Sequence, residues 1–186
     1  MVSDDQEHVE QVLAGDANAF ENLVRKYHRL GGAIAFGIVG EFSLAEDVVQ
    51  DAFLRAYRSL ESLRKPELFR PWFSGIVRKR AIDVLRQQKT RRRVTRDVDE
   101  IRETAAAAEQ LGPDDRFLRE EQRQKILEAV SELPEDDRLV VVLKHMEGCS
   151  YKEISEITGS SVSAVESRLF RARQALRQRL MHRINL

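Results

Sequence analysis

The sequence has little that would staple a chain or break a helix. One cysteine among 186 residues rules out an internal disulfide, and a lone thiol fits a reducing compartment. Four prolines and nine glycines punctuate the chain sparsely, and 33% of its residues are charged. That balance favours helix over sheet, and no alternating apolar–polar run reads as a strand. The most apolar stretch, residues 31–39, falls far short of the roughly 20 residues a membrane-spanning helix needs. The acidic first ten residues lack the basic and apolar parts of a signal peptide. Signatures of catalysis are missing too: there is no Gly-rich phosphate loop, GxSxG elbow or HExxH pair. His145 and Cys149 are four apart, but Gly148 lies between them and no second ligand pair is near, so no metal is expected. These absences predict an all-α, cytoplasmic protein without membrane insertion, catalytic residues, metal or cofactor.

What is present is patterned charge. Formal net charge is zero, yet residues 1–60 carry 5 basic against 10 acidic side chains and residues 61–96 carry 12 against 3. Residues 97–137 carry 5 against 14, and residues 138–186 carry 9 against 4. Two basic blocks separated by an acidic one suggest two meeting points with a polyanion. Solvated helix faces would give patches as well, so charge alone leaves both readings open.

Helical periodicity organises the chain into two units. Asp16 is a candidate N-cap for a helix carrying Phe20, Leu23, Val24 and Tyr27 and running through Leu30 and Ile34 toward Gly40. Ser43 with Glu46 suggests a capping box for a second helix. Its apolar side holds Val48, Val49, Ala52, Phe53, Ala56 and Tyr57, and its other side holds Glu46, Asp47, Gln50 and Asp51. Residues 59–71, with Pro66 and Pro71, read as a break. A basic helix follows from about Trp72 to Gln88, with Phe73, Ile76, Val77, Ile82 and Leu85 facing a core and Arg78, Lys79, Arg80 and Arg86 facing out. Residues 89–115, basic then acidic, read as a tether in which the alanines at 105–108 could form a short helix. The second unit begins near Arg116. It places Ile126, Leu127, Val130 and Leu133 at helical spacing, then a helix over residues 135–145 whose run from Leu139 to Leu143 predicts burial on more than one side.

Residues 145–178 read as a helix-turn-helix. Gly148 suits a left-handed helix end, Ser150 and Glu153 form a capping box for a short helix over residues 151–157, and Gly159 ends it. Ser161 then caps a longer basic helix, the arrangement that places a recognition helix in a DNA groove. At 100° per residue, Val162, Val165, Leu169, Ala172 and Leu176 share the inward face. Ser163, Glu166, Ser167, Phe170 and Arg171 share the outward one, where side chains can meet base edges. Arg168, Arg173 and Arg177 sit at the flanks, in place for phosphates. A plain amphipathic helix on a bundle would explain the apolar face but not the short Gly-ended helix before it.

Residues 133–135, Arg138, residues 147–154 and residues 165–173 resemble region 4 of sigma-70-type initiation factors, in particular the extracytoplasmic-function (ECF) group. Residues 45–57 resemble region 2.2 of that family, and Phe69 to Arg86, with Trp72, Ile76, Asp83 and Arg86, resembles regions 2.3 and 2.4. The resemblance covers about residues 17–90 and 118–180. It implies two small helical domains, residues 17–90 and 118–181, joined by a flexible linker over 91–117. It implies a transcription initiation factor that binds core RNA polymerase and directs it to promoter DNA, with an anti-sigma factor as a possible further partner. Carried over by position, Glu46, Asp47, Gln50, Asp51, Phe53 and Arg55 would dock polymerase. Lys65, Arg70, Trp72, Arg78, Lys79, Arg80 and Arg86 would open and hold the start-proximal element, which needs cations along the freed strand. Trp72 could equally fill the core beneath the loop, and Asp83 is expected to pair with a nearby arginine. Ser163, Glu166, Ser167, Arg168, Phe170, Arg171 and Arg173 would read the upstream element. The acidic linker would follow a basic channel of the polymerase, or serve as a solvated spacer.

Four positions depart from the family pattern. Arg80 stands where asparagine is common. Glu166 replaces a frequent basic residue, which can shift preference toward cytosine. Ser160 replaces an apolar residue and is expected to loosen the turn, and Cys149, in place of leucine, reads as a small core residue. Two other functions fit parts of this pattern. A stand-alone helix-turn-helix regulator would pair its recognition helices as a dimer on a palindrome, and a helical adaptor would bind no DNA. The acidic helix at 43–58 and the basic helix at 72–88 look unlike a self-complementary dimer face.

Overall fold

A computed structural model describes residues 4–94 and 113–184, and every regular element among them is helical. The α-helices are α1 (Asp4–Leu13), α2 (Ala19–Val39), α3 (Phe42–Arg58), α4 (Phe69–Val94), α5 (Pro113–Ser131), α6 (Glu135–His145), α7 (Tyr151–Thr158) and α8 (Val162–Ile184). No helix among them is long and apolar enough to cross a membrane.

Helices α1 to α4 form the first unit. Its centre is aromatic: the Phe53 and Phe73 rings stack with centroids 4.4 Å apart, and Phe69 lies 5.8 Å from Phe73. Stacked rings of this kind add to the burial of apolar area that drives folding. Helix α1 has no counterpart in the sequence expectations, and it carries the unit back to Asp4. It is held by fully buried Val9, by ion pairs from Lys26 to Asp4 and Asp5, and by the Tyr27 hydroxyl donating to Asp5.

Several local expectations are corrected. Asp16 is not the N-cap of α2; that position is Asn18, and Asp16 instead accepts the Asn18 backbone N–H in an Asx turn. The Ser43–Glu46 box does not form, because α3 starts two residues earlier, with Glu41 at the N-cap, and the Ser43 hydroxyl donates to the Glu41 carboxylate. The break after α3 is shorter than 59–71. Two single 3-10 turns, Leu60–Ser62 and Pro66–Leu68, lead into α4 at Phe69, and Pro71 sits in its first turn, where a missing N–H costs nothing. Helix α4 runs to Val94 rather than Gln88, and α5 begins at Pro113 rather than near Arg116. The interval expected as a linker over 91–117 therefore has helix at both ends. Its middle, with the alanines at 105–108, lies outside the described residues.

In the second unit, α6 occupies residues 135–145 as expected, and its run from Leu139 to Leu143 is buried throughout. The partner on its far side is the first unit. Helix α2 is amphipathic at its start but buried on all sides near its end, where Ala33, Ile34, Ala35, Phe36, Gly37 and Ile38 are enclosed. Gly37 permits close approach: a Cβ there would lie 2.9 Å from the Leu139 Cα. Arg138 crosses the interface, with Nε donating to the Gly37 carbonyl at 2.9 Å and Nη2 to the Ile38 carbonyl at 2.6 Å. The two units thus share one apolar core, whereas the sequence suggested separate ones. This shared interior leaves the outward side of α8 uncovered.

Candidate nucleic-acid interface

The helix-turn-helix is built by local signals. The Ser150 hydroxyl accepts the Glu153 N–H at 3.2 Å, and Glu153 accepts the Ser150 N–H at 2.8 Å, closing the capping box on α7. Gly159 ends α7 in the left-handed region at φ +68°, and Ser161 accepts the Ala164 N–H at the start of α8. Val165, Leu169 and Ala172 are sealed into the core. Ser163, Glu166, Ser167, Phe170, Arg171 and Arg173 are exposed, and Phe170 is 63% accessible. Val162, expected inward, is also exposed, at 42%. An exposed aromatic beside serines and arginines can meet a thymine methyl or a sugar, while its neighbours bond bases or phosphates.

The turn at Ser160 is tied rather than loosened. Its carbonyl accepts the Ser155 hydroxyl at 2.7 Å, and its own hydroxyl accepts Arg168 Nη1 at 2.8 Å. Arg168 also bonds Asp136 at 2.9 Å, and Arg171 bonds Asp137 at 3.0 Å. Sequence reasoning passed over Asp136 and Asp137, because their role depends on α6 crossing α8. Cys149 is buried, as expected of a core residue.

On α3, Glu46, Asp47, Gln50 and Arg55 are exposed along one side, with Asp51 half-buried among them. Phe53 is a correction: it belongs to the aromatic core, and the exposed apolar residue on this helix is Leu54, at 56%. Asp51 receives Arg55 at 3.1 Å and also pairs with Arg80 of α4. One carboxylate therefore joins a residue expected to dock polymerase to one expected on DNA. Lys65, Lys79 and Arg86 are exposed and Arg78 is half-buried. Trp72 is partly buried against the core, 5.8 Å from the Phe69 ring. Asp83 makes no ion pair with an arginine among the described residues.

Arg70 reaches across the two units to pair with Glu153, and its other terminal nitrogen lies 3.7 Å from the Cys149 sulfur. The Ser150 backbone N–H, then Arg70 and the Ser150 hydroxyl, hold the Glu153 carboxyl at about 2, against an ordinary 4.5. A carboxyl depressed on folding stabilises the native state above its unfolded pKa, and that contribution is lost as pH falls through its folded value. Stability should therefore decline from about pH 4.5 toward pH 2. Glu153→Gln retains the cap but not the charge. Denaturant titrations at fixed pH should show a shallower decline for this variant; parallel curves would contradict the assignment.

Residues 23–91 match the family model of sigma-70 region 2, and residues 123–176 match that of sigma-70 region 4. The chain is 37% identical over 177 residues to the ECF RNA polymerase sigma-E factor of Escherichia coli K12, covering 92% of each protein. Among solved structures it is similar to CnrH in complex with the cytosolic domain of CnrY, with a TM-score of 0.66, 27% identity and coverage of 97% and 99% of the two chains. It is similar also to the Bartonella quintana sigma factor RpoE in complex with the anti-sigma factor NepR, with a TM-score of 0.66, 25% identity and coverage of 87% and 96%. With both regions matched in order and the alignment spanning nearly the whole chain, this protein belongs to the sigma-70 family as an ECF sigma factor, a transcription initiation factor that directs RNA polymerase to promoters.

Proposed function

We propose that the two units divide promoter recognition between them in the cytoplasm. The first, taken as residues 17–90, docks core polymerase through Glu46, Asp47, Gln50, Asp51 and Arg55. A rigid helix face of mixed polar and acidic groups suits a basic partner surface. Phe53 serves that face from beneath, as core. Lys65, Arg70, Trp72, Arg78, Lys79, Arg80 and Arg86 meet the start-proximal element, where cations neutralise phosphates of the opened strand. The second unit, taken as residues 118–181, reads the upstream element through Ser163, Glu166, Ser167, Arg168, Phe170, Arg171 and Arg173. The observation that carries the reading is the outward face of α8, which stays exposed while its inward face is sealed.

Four of these cations are already paired within the chain: Arg70 with Glu153, Arg80 with Asp51, Arg168 with Asp136 and Arg171 with Asp137. Only the Arg70 pair crosses between the units, so exchanging Glu153 for phosphate when DNA arrives would loosen their packing. An anti-sigma protein is a further partner in this reading, supported by two similar sigma factors solved with proteins bound to them. A stand-alone helix-turn-helix regulator would leave the match of residues 23–91 to sigma-70 region 2 without a purpose.

Arg171→Ala tests the assignment of α8. It should weaken holoenzyme binding to the preferred upstream element by about 1–3 kcal/mol, with discrimination relaxed at one base position. Equal loss on all sequences in a competition binding assay would make Arg171 a phosphate contact instead.

A further inference from the structure

Asp136 and Asp137 open α6, where carboxylates are favoured by the helix dipole, yet they stand beside a face that should attract phosphate. A surface evolved only for affinity would avoid negative charge there. The pairing geometry suggests another use. The Asp137 side chain is 11% exposed and rides on a helix whose next residues are core, so it is a fixed anchor. Its partner Arg171 is 60% exposed and is the free end of the pair. Asp137 occupies one terminal nitrogen of Arg171. A guanidinium has five N–H donors in a planar fork, and Asp137 takes one of the two on Nη2, so one two-donor edge of the fork remains for the two acceptors that guanine presents in the major groove. Arg168 differs. Ser160 and Asp136 take its two terminal nitrogens, and only 21% of its side chain is exposed.

We propose that Asp137 is a positioning residue for sequence discrimination, orienting Arg171 before DNA arrives, while Ser160 and Asp136 fix Arg168 beside it. The proposal rests on the reading of α8 as the upstream-element face. Ordering a long side chain on binding costs about 0.5–1.5 kcal/mol, and Asp137 has it ordered beforehand. The carboxylate also lowers attraction to every phosphate, which depresses non-specific binding more than specific binding. Both effects raise the ratio between correct and incorrect sites, the quantity that governs selection in a genome. Ser160 thus has a function in the turn that an apolar side chain could not supply.

The test uses the holoenzyme, formed from the full chain and core polymerase, on an upstream element selected by the wild-type holoenzyme from randomised duplex DNA. Competition against single-base variants and unrelated DNA gives the specificity ratio. Asp137→Asn should lower that ratio by about three- to tenfold while binding to unrelated DNA stays equal or tightens. A purely structural role would lower the melting temperature and weaken binding on all sequences alike, leaving the ratio unchanged; that result overturns the proposal. If Asp137→Asn is unfolded at the assay temperature, Ser160→Ala carries the test, and it must lower the ratio by at least about twofold. Arg171→Ala separates positioning from DNA reading. If it shifts the ratio and the two positioning variants do not, positioning is refuted while α8 still reads DNA. If Arg171→Ala shifts nothing, the DNA-reading face is refuted and positioning falls with it.

Discussion

Replacing Arg138 by alanine should lower the unfolding free energy by about 3–5 kcal/mol, the size expected when several buried hydrogen bonds to one charged donor are lost together. The guanidinium donates to four carbonyls: Gly37 at 2.9 Å, Ile38 at 2.6 Å, Ser131 at 2.7 Å and Leu133 at 3.2 Å. Two of these carbonyls lie in the last turn of α2, where a cation also meets the negative end of the helix dipole. Hydrogen bonds to a charged group contribute about 1.5–3 kcal/mol each, but they share one side chain and do not add in full. Alanine leaves the carbonyls enclosed and without this donor, and it opens the seam that Gly37 lets α2 and α6 form. Lysine should restore little, since a single ammonium cannot span the fork. For a chain of this length, about 2–4 °C is lost per kcal/mol, so the melting temperature should fall by roughly 6–20 °C. A change below about 1 kcal/mol in denaturant titration would show that Arg138 does not hold the units together.

Asp47→Lys carries the second large effect. Asp47 is exposed on α3 between Glu46 and Gln50, so reversing its charge should leave the fold intact. Asp51 is a poorer choice, because its reversal would also release Arg55 and repel Arg80. A like charge brought against a basic partner surface costs several kcal/mol, and each 1.4 kcal/mol is about tenfold in affinity. Asp47→Lys should therefore bind core polymerase at least about tenfold more weakly, with unchanged melting temperature. Unchanged affinity would move the docking face off α3.

How much of this was readable from the sequence depends on how local each signal is. The helix-turn-helix is encoded by residues a few positions apart: a Ser–Glu capping box, a glycine that must adopt positive φ and an apolar stripe. Its elements accordingly fall where expected. Helix α6 was legible from Pro134 and its apolar run. Helix α1 was not, since its few apolar residues gain stability only by docking on α2 and the turns that precede α4. Phe53 and Leu54 are adjacent apolar residues on one helix, and periodicity placed Phe53 on the apolar side. Assigning it to polymerase came from family position and not from its face. The union of the two units left traces in the all-round apolar end of α2 and in Gly37, but neither names its partner. The pairs Arg70–Glu153, Arg168–Asp136 and Arg171–Asp137 span 83, 32 and 34 residues, beyond the reach of any spacing argument.

Recruitment of polymerase to DNA sequences that this chain selects can be measured directly. Purified chain should be mixed with core polymerase and a library of randomised promoter fragments, and the transcripts sequenced. The wild-type chain should yield discrete start sites sharing two sequence elements at fixed separation, and Asp47→Lys should yield few or none. A wild-type chain that gives no transcript above core polymerase alone, and that binds duplex palindromes tightly without ever co-eluting with polymerase, would contradict the account.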